Sequence, residues 1–309
     1  MSILVTPQTR VLVQGITGKE GARAAAEMRD YGTKVLAGVT PGKGGQKVEG
    51  VPVYDTVAEA MRKHPTINTS LVVVPGAFVK DAVMESVAAG IALINVLSEH
   101  VPVADVAGMV AYARAKNSLI VGPSSVGIIS PGQGKLGSIG SGGVDRVFQP
   151  DPVGVISKSG GMTAELSSIL TQAGIGQSTA MGIGGDMLIG ADFADIMRLF
   201  QKDPKTRAVV LFGEVGGTFE EQAAQMILDK KFTKPAIAFV AGKFSRDLPQ
   251  GTTLGHAGAI VSEDKGSYDS KIKMFRKAGV FLPETLDDLA ATVKMALGRK
   301  SEKSRKARV

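Results

Sequence analysis

Three short stretches of this 309-residue chain set chemically capable side chains among glycines. The first is GHAGAI, residues 255–260, in a sequence that owns only three histidines. His256 stands there among glycines and small apolar residues, with Thr252 and Thr253 just before it. The second is LFGEVGG, where Glu214 follows an apolar run and precedes two glycines. A carboxylate so placed can orient an imidazole and raise its basicity, although a loop glutamate is ordinarily just solvated. The third is VGVISKSGGMTAEL, which brings Ser157, Ser159 and the N–H groups of Gly160 and Gly161 to a strand-to-helix junction. Such a junction can cap a helix and hold an anion. An N-cap with no ligand explains the same residues.

Two further glycine turns lie in the first half. QGITGKEG puts Gly15, Gly18 and Gly21 directly after an apolar run and at the start of a helical pattern. The spacing is G-x-x-G-x-x-G, not the dinucleotide fingerprint G-x-G-x-x-G. Glycine there lets backbone approach a phosphate at a helix N-terminus, and a plain tight turn gives the same spacing. In TPGKGG, residues 40–45, Lys43 has little to pack against and reads as a surface lysine or as a cation facing phosphate. Together the two turns favour a phosphate-bearing ligand. No Walker A stretch is present: Gly38 to Lys43 misses by one residue, and Gly44 replaces the hydroxyl residue. If the chemistry uses ATP, another chain binds it. Of the other histidines, His64 precedes Pro65 in a polar connector and is expected to be exposed, while His100 follows a strand near the ligand loops.

The elements that must position these residues repeat a simple rhythm. RVLVQG, KVLAGVTPG, SLVVVPG, ALINVLSE and SLIVGPSS are continuous apolar runs, as buried parallel strands are. Helical patterns such as Glu20 to Tyr31 and AFVKDAVMESVAAG fall between them. The second half restarts with VGVISKSGG, STAMGIGG, AVVLFGEVGG, PAIAFVAGK and a short GVFLP. Both halves are βαβ series, hence α/β doubly wound sheets. The glycine-rich stretch Gly132 to Gly143, followed by Asp145 to Pro152, reads as connector. The expected division is 1–125, 126–298 and a basic disordered tail, 299–309.

Composition agrees and excludes. Aromatics are scarce at 5% and glycines number 39, which suits tight strand-to-helix turns better than a β-sandwich. The absence of cysteine removes disulfides, thiol nucleophiles and Cys-ligated metals. The net charge of +7 is mostly the tail, which holds six Lys/Arg against one Glu, so no nucleic-acid partner is expected. No apolar run reaches the ~20 residues that span a bilayer, and no signal peptide is evident. The expectation is a cytoplasmic protein without a membrane partner.

With GITGKEG, YGTKVLAGVTPGKGG, SKSGG, GIGGD, FGEVGG and GHAGAI in this order, the chain resembles the succinyl-CoA synthetase α subunit, of the nucleoside-diphosphate-forming acid–CoA ligases. The resemblance runs from Met1 to about Leu297. It implies an N-terminal Rossmann-like CoA-binding domain and a C-terminal flavodoxin-like ligase domain. His256 falls on the histidine phosphorylated during turnover, Glu214 on the acid that holds it, and Ser159, Gly160 and Gly161 on the helix N-terminus that receives its phosphate. Thr17, Gly18, Lys19 and Glu20, with Lys43 and with Leu97, Ser98 and Glu99, fall on CoA-binding segments. The resemblance also implies a separate ATP-grasp β subunit holding ATP or GTP with Mg²⁺, in an αβ or α2β2 heteromer.

Departures bear on the acid. The family's GPNCPG is GPSSVG here, with Ser124, Ser125 and Val126, and its SGTLTYE is SGGMTAE. Ala164 thus replaces a tyrosine and Gly161 a threonine, which enlarges the acid pocket. SGGMTAE, with GSIGSGG and AGVFLP, looks more like ATP-citrate lyase and citryl-CoA synthetase. Succinate, malate, citrate or another small carboxylic acid stay open. A nicotinamide dehydrogenase fits only the first half, and a non-catalytic CoA-binding protein gives no reason for the His256, Glu214 and Ser159 set.

Overall fold

The computed structural model describes residues 2–140, 142–247 and 266–306, without the side chains of 246, 247 and 299–306. The first sheet is built from β1 Arg10–Gln14, β2 Lys34–Val39, β3 Lys47–Val48, β4 Val51–Tyr54, β5 Thr69–Val72, β6 Leu93–Val96 and β7 Leu119–Val121. Its order is β3-β4-β2-β1-β5-β6-β7, parallel except for the small antiparallel β3 at one edge. Discounting β3, this is the strand order of dinucleotide-binding sheets, with the reversal between β1 and β5. Four helices cross over: α1 Lys19–Asp30, α2 Val57–Lys63, α3 Val79–Ala88 and α4 Val103–Ala115. Side chains alternate across β1, so Val11 and Val13 enter one buried cluster with α1 and Leu12 enters another with α2, α3 and α4. Both faces are covered, which is why these strands read as unbroken apolar runs.

The second sheet begins at β8 Gly127–Ser130 and β9 Gly134–Gly137, followed by α5 Val144–Val147. The parallel part comprises β10 Pro150–Ser157, β11 Gln177–Gly182, β12 Ala208–Glu214 and β13 Ala236–Ala241. Its helices are α6 Gly160–Gln172, α7 Phe193–Lys202, α8 Phe219–Leu228, α9 Tyr268–Lys277 and α10 Leu289–Lys306. The order is β13-β12-β10-β11-β8-β9, and the GVFLP run contributes only a parallel bridge from Phe281 to Ile237 beyond β13. The parallel strands therefore follow the flavodoxin-like order, reversing between β10 and β12. Helices α7, α8 and α9 cover one face and α6 and α10 the other. The first of those faces is continuous with the α1 side of the first sheet, in one apolar cluster from Val11 to Leu211.

Two expectations are corrected. Part of the stretch expected as connector is β9, whose four residues are all buried and pair with β8 in an antiparallel hairpin. A lone leucine, Leu136, hid the strand, which sits against α1 instead of being defined by its own apolar content. The segment expected as a disordered basic tail is helical as far as Lys306, because α10 simply continues. Among the described residues, no helix is long and apolar enough to cross a membrane.

Candidate functional site

Ligands of doubly wound sheets bind beyond the carboxyl ends of the strands, where the order reverses. Here the two reversal points open onto one cleft of about 1320 Å³. Gly18, Lys19 and Glu20 line it from the loop after β1, and Leu97, Ser98 and Glu99 from the loop after β6. Ser159, Gly160 and Gly161 line it from the loop after β10. Three loops far apart in sequence thus meet in one space. Gly18–Glu20 and Ser159–Gly161 sit at helix N-termini, those of α1 and α6, where free N–H groups and the positive dipole end favour anions.

The local geometry suits close approach by a phosphate. Gly18 caps α1 with no side-chain hydrogen bond. Gly15 takes φ +82°, open to glycine and poor for other residues, and a Cβ there would lie 2.2 Å from the Val73 carbonyl oxygen. A Cβ on Gly21 would lie 2.2 Å from the Gly15 oxygen. In α6, Ser159 accepts the Met162 N–H at 3.4 Å, and Thr163 Oγ1 donates to the Ser159 carbonyl at 2.8 Å. Gly161 has nothing within 4 Å of where its Cβ would be. We expect Gly21→Ala to weaken CoA binding at least about tenfold and lower the thermal midpoint, through forced backbone movement. Gly161→Ala should leave the midpoint unchanged or raise it, since alanine is the better helix residue. Thermal unfolding and CoA titration of both variants check this contrast.

Ser125 fixes the floor of the cleft. Its Oγ accepts from Asn95 Nδ2 at 2.8 Å and from the Gly127 N–H at 3.1 Å, and donates to the Gly182 carbonyl at 2.6 Å. One buried hydroxyl so joins β6 of the first sheet to β11 of the second. Its neighbour Ser124 donates to Asp186 Oδ1 at 3.0 Å, and both line the cleft.

Not every expected residue reaches this space. Thr17 lies beside it, donating to Thr40 Oγ1 at 3.1 Å and so joining the loops after β1 and β2. Lys43 is exposed on the second of those loops and does not line the cleft. Glu214 is half-buried at the end of β12, outside the cleft lining, and its N–H donates to Glu220 Oε1 at 3.2 Å. His256, Thr252 and Thr253 lie outside the described residues. Gly266 accepts the Gly216 N–H at 2.7 Å, beside the loop after β12. His64 corrects its expectation: it is half-buried, with Nε2 2.9 Å from the Tyr54 hydroxyl. His100 is exposed and lines the cleft.

Sequence reasoning missed a buried charge cluster beneath the second reversal point. Glu220 is fully buried and pairs with Lys158 at 2.8 Å and with Lys271. Lys271 also reaches Glu221 at 3.0 Å and the Gly217 carbonyl at 2.9 Å. Lys158 directly precedes Ser159, and Glu220 holds the Glu214 backbone, so the cluster ties together two candidate site residues. The available signal was Lys271 beside Ile272 and Phe275 on the buried face of α9. On α1, Arg23 bonds Glu20, which holds its guanidinium above the usual pKa against partial burial. Arg23 also lines the cleft.

The comparisons fit this arrangement. Residues 6–100 match the family described as CoA binding domain, and residues 156–281 the family described as CoA-ligase. The α subunit 1 of the ADP-forming succinate–CoA ligase of Archaeoglobus fulgidus is 44% identical over 96% of this chain and 99% of its own. A subunit of an ADP-forming sulfoacetate–CoA ligase from an Acholeplasma species is 44% identical over 90% of this chain and 93% of its own. Among solved structures, the ATP citrate lyase of Methanothrix soehngenii, in complex with citrate and coenzyme A, superposes with a TM-score of 0.90 at 26% identity. That match covers 98% of this chain, which spans about half of the lyase chain, 52%.

A CoA-binding domain followed by a CoA-ligase domain, meeting at one anion-favouring cleft, defines the class: an acid–thiol ligase. Within it, the chain belongs to the succinate–CoA ligase α-subunit family, the α subunits of the nucleoside-diphosphate-forming acid–CoA ligases.

Proposed function

We propose that this α subunit forms an acyl-CoA from a small carboxylic acid, taking CoA at the first sheet and a phosphoryl group at the second. The observation that carries the reading is the single cleft lined by both Gly18–Glu20 and Ser159–Gly161. In this reading the chain divides into a CoA domain, 1–125, a ligase domain, 126–298, and the basic end, 299–309. The turn between β7 and β8 supports that division.

A carboxylate is a poor electrophile, so the hydroxide equivalent must first be made a leaving group. In the proposed sequence the neutral His256 imidazole takes the γ-phosphoryl group of ATP or GTP as its bond to the β-phosphate breaks and ADP or GDP leaves, splitting one difficult transfer into easier ones. Glu214 orients its imidazole. The α6 N-terminus, at Ser159, Gly160 and Gly161, stabilises the charge on the moving phosphoryl group without reorganising. His256 then gives up the group to the acid, forming an acyl phosphate and regenerating neutral imidazole. Transfer of the acyl group to the CoA thiol releases inorganic phosphate. Mg²⁺ would neutralise charge on the nucleotide phosphates, held with them on an ATP-grasp β subunit. The names of the relatives as α subunits support such a partner, in an αβ or α2β2 heteromer. We also infer a cytoplasmic location.

The acid is open to direct test. With the cognate β subunit, ATP, Mg²⁺ and CoA, a panel of succinate, malate, citrate and sulfoacetate should yield acyl-CoA with one clear preference. Gly161 lines the cleft while Ala164 lies outside its lining, so the side-chain volume absent at Gly161 favours an acid larger than succinate. A preference for succinate over all larger acids would sink the pocket argument, and no acyl-CoA from any acid would sink the ligase reading.

A further inference from the structure

Four charged residues form a continuous chain from the seam between the two sheets to the cleft. Glu20, Arg23 and Glu27 share one face of α1. Arg23 Nε and Nη2 both donate to Glu20 Oε2, at 3.2 and 2.5 Å, and Arg23 Nη1 donates to Glu27 Oε1 at 3.0 Å. The other carboxylate oxygen of Glu27, Oε2, bonds Lys135 Nζ at 2.8 Å. Lys135 belongs to β9 of the second sheet and is 1% exposed.

Exposed pairs on a helix hold a side chain only weakly, and Arg23 and Glu20 are 42% and 57% exposed. Lys135 changes the balance. A buried ammonium cannot be left without a counter-charge, so Glu27 is committed to it. The backbone of Lys135 is itself fixed: its N–H donates to Thr33 Oγ1 at 2.9 Å, and Thr33 Oγ1 donates to its carbonyl at 2.8 Å. Beside it, the Gly132 N–H donates to the Tyr31 hydroxyl at 3.0 Å. Arg23 therefore meets an acceptor already in place, and Glu20 meets a guanidinium already in place.

We propose that Lys135, Glu27 and Arg23 are positioning residues that set the Glu20 carboxylate at the cofactor end of the cleft. Glu20 in the first turn of α1 is favoured by the helix dipole, and a carboxylate held in one rotamer there offers a fixed acceptor to the hydroxyl and amine donors of a nucleotide cofactor. Arg23 neutralises it and fixes its rotamer, and the ligase half of the chain anchors Arg23 through Glu27. The inference rests on the reading of Gly18–Glu20 as a CoA segment and extends it to residues that carried no motif.

The test is the equilibrium affinity of the full-length chain for CoA, by titration calorimetry, with thermal unfolding recorded for each variant. Arg23→Leu should weaken CoA about tenfold, the scale of one charge-assisted contact. Lys135→Met and Glu27→Gln should each weaken it about threefold, with Lys135→Arg close to wild type, and Lys135→Met should add nothing in the Arg23→Leu background. If Lys135→Met does not fold, Glu27→Gln and Lys135→Arg decide. Additive effects, or unchanged affinity in folded Lys135 and Glu27 variants while Glu20→Gln weakens CoA, overturn the relay alone. Unchanged affinity in Glu20→Gln overturns the CoA-segment reading and the relay with it.

Discussion

In the proposed mechanism, replacing His256 with asparagine should abolish the acid-labile phosphate expected on the chain after incubation with ATP, Mg²⁺ and a cognate β subunit. Asparagine keeps a polar amide of similar reach but offers no nucleophilic nitrogen. Loss of the attacking group should reduce acyl-CoA formation by about four orders of magnitude or more. With only three histidines, controls are simple. His64 is engaged with Tyr54 on the first sheet, and His64→Asn should keep the label. His100 lines the cleft, so His100→Asn is the sharper control. Label lost with His100→Asn and kept with His256→Asn would move the nucleophile to the first sheet. Glu214→Gln should still label, but more slowly, because an orienting carboxylate sets the imidazole without supplying the bond.

The sequence made both sheets legible because helices bury both faces of their strands. Val11, Leu12 and Val13 all had to be apolar to satisfy two cores at once, so β1 reads as a block. Strand β9 was not legible for the opposite reason. Its glycines and Lys135 look polar and loose, and its burial comes from α1 and β8, which local pattern does not encode. The same logic divides the site. The glycine turn at Gly15–Gly21 was visible because close backbone approach restricts the residue type there, and the turn at Ser159–Gly161 because a serine cap before glycines marks a helix start. The glutamates and lysines that hold those turns were harder to see, since a charged side chain shows its burial only through apolar neighbours on the same face, as Lys271 does beside Ile272 and Phe275. Even Gly213 makes sense only in space: a Cβ there would lie 2.6 Å from Glu220 Oε1.

Glu220→Ala should be among the most destabilising single substitutions in the second half. The Glu220 carboxylate takes the Lys158 ammonium at 2.8 Å, the Lys271 ammonium and the Glu214 N–H at 3.2 Å, with no exposure to solvent. Two lysines and two glutamates balance in charge while it is present. Without it, Lys158 keeps only a long 3.4 Å contact with the Gly216 carbonyl among its hydrogen bonds, and Lys271 keeps Glu221. Breaking a buried pair from one side costs about 3–5 kcal/mol, a fall of roughly 10 °C in midpoint for a domain of this size. Glu220→Gln keeps the acceptor for the Glu214 N–H but leaves one positive charge in excess. Adding Lys271→Met then restores neutrality between Lys158 and Glu221. The double variant should therefore be more stable than Glu220→Gln alone, a coupling that denaturant unfolding of the four-member cycle measures. Strict additivity would mean that the cluster is held by packing and not by charge. The variants should also slow phosphoryl transfer, because Lys158 carries Ser159 and Glu220 carries the Glu214 backbone into the places where the proposed chemistry needs them.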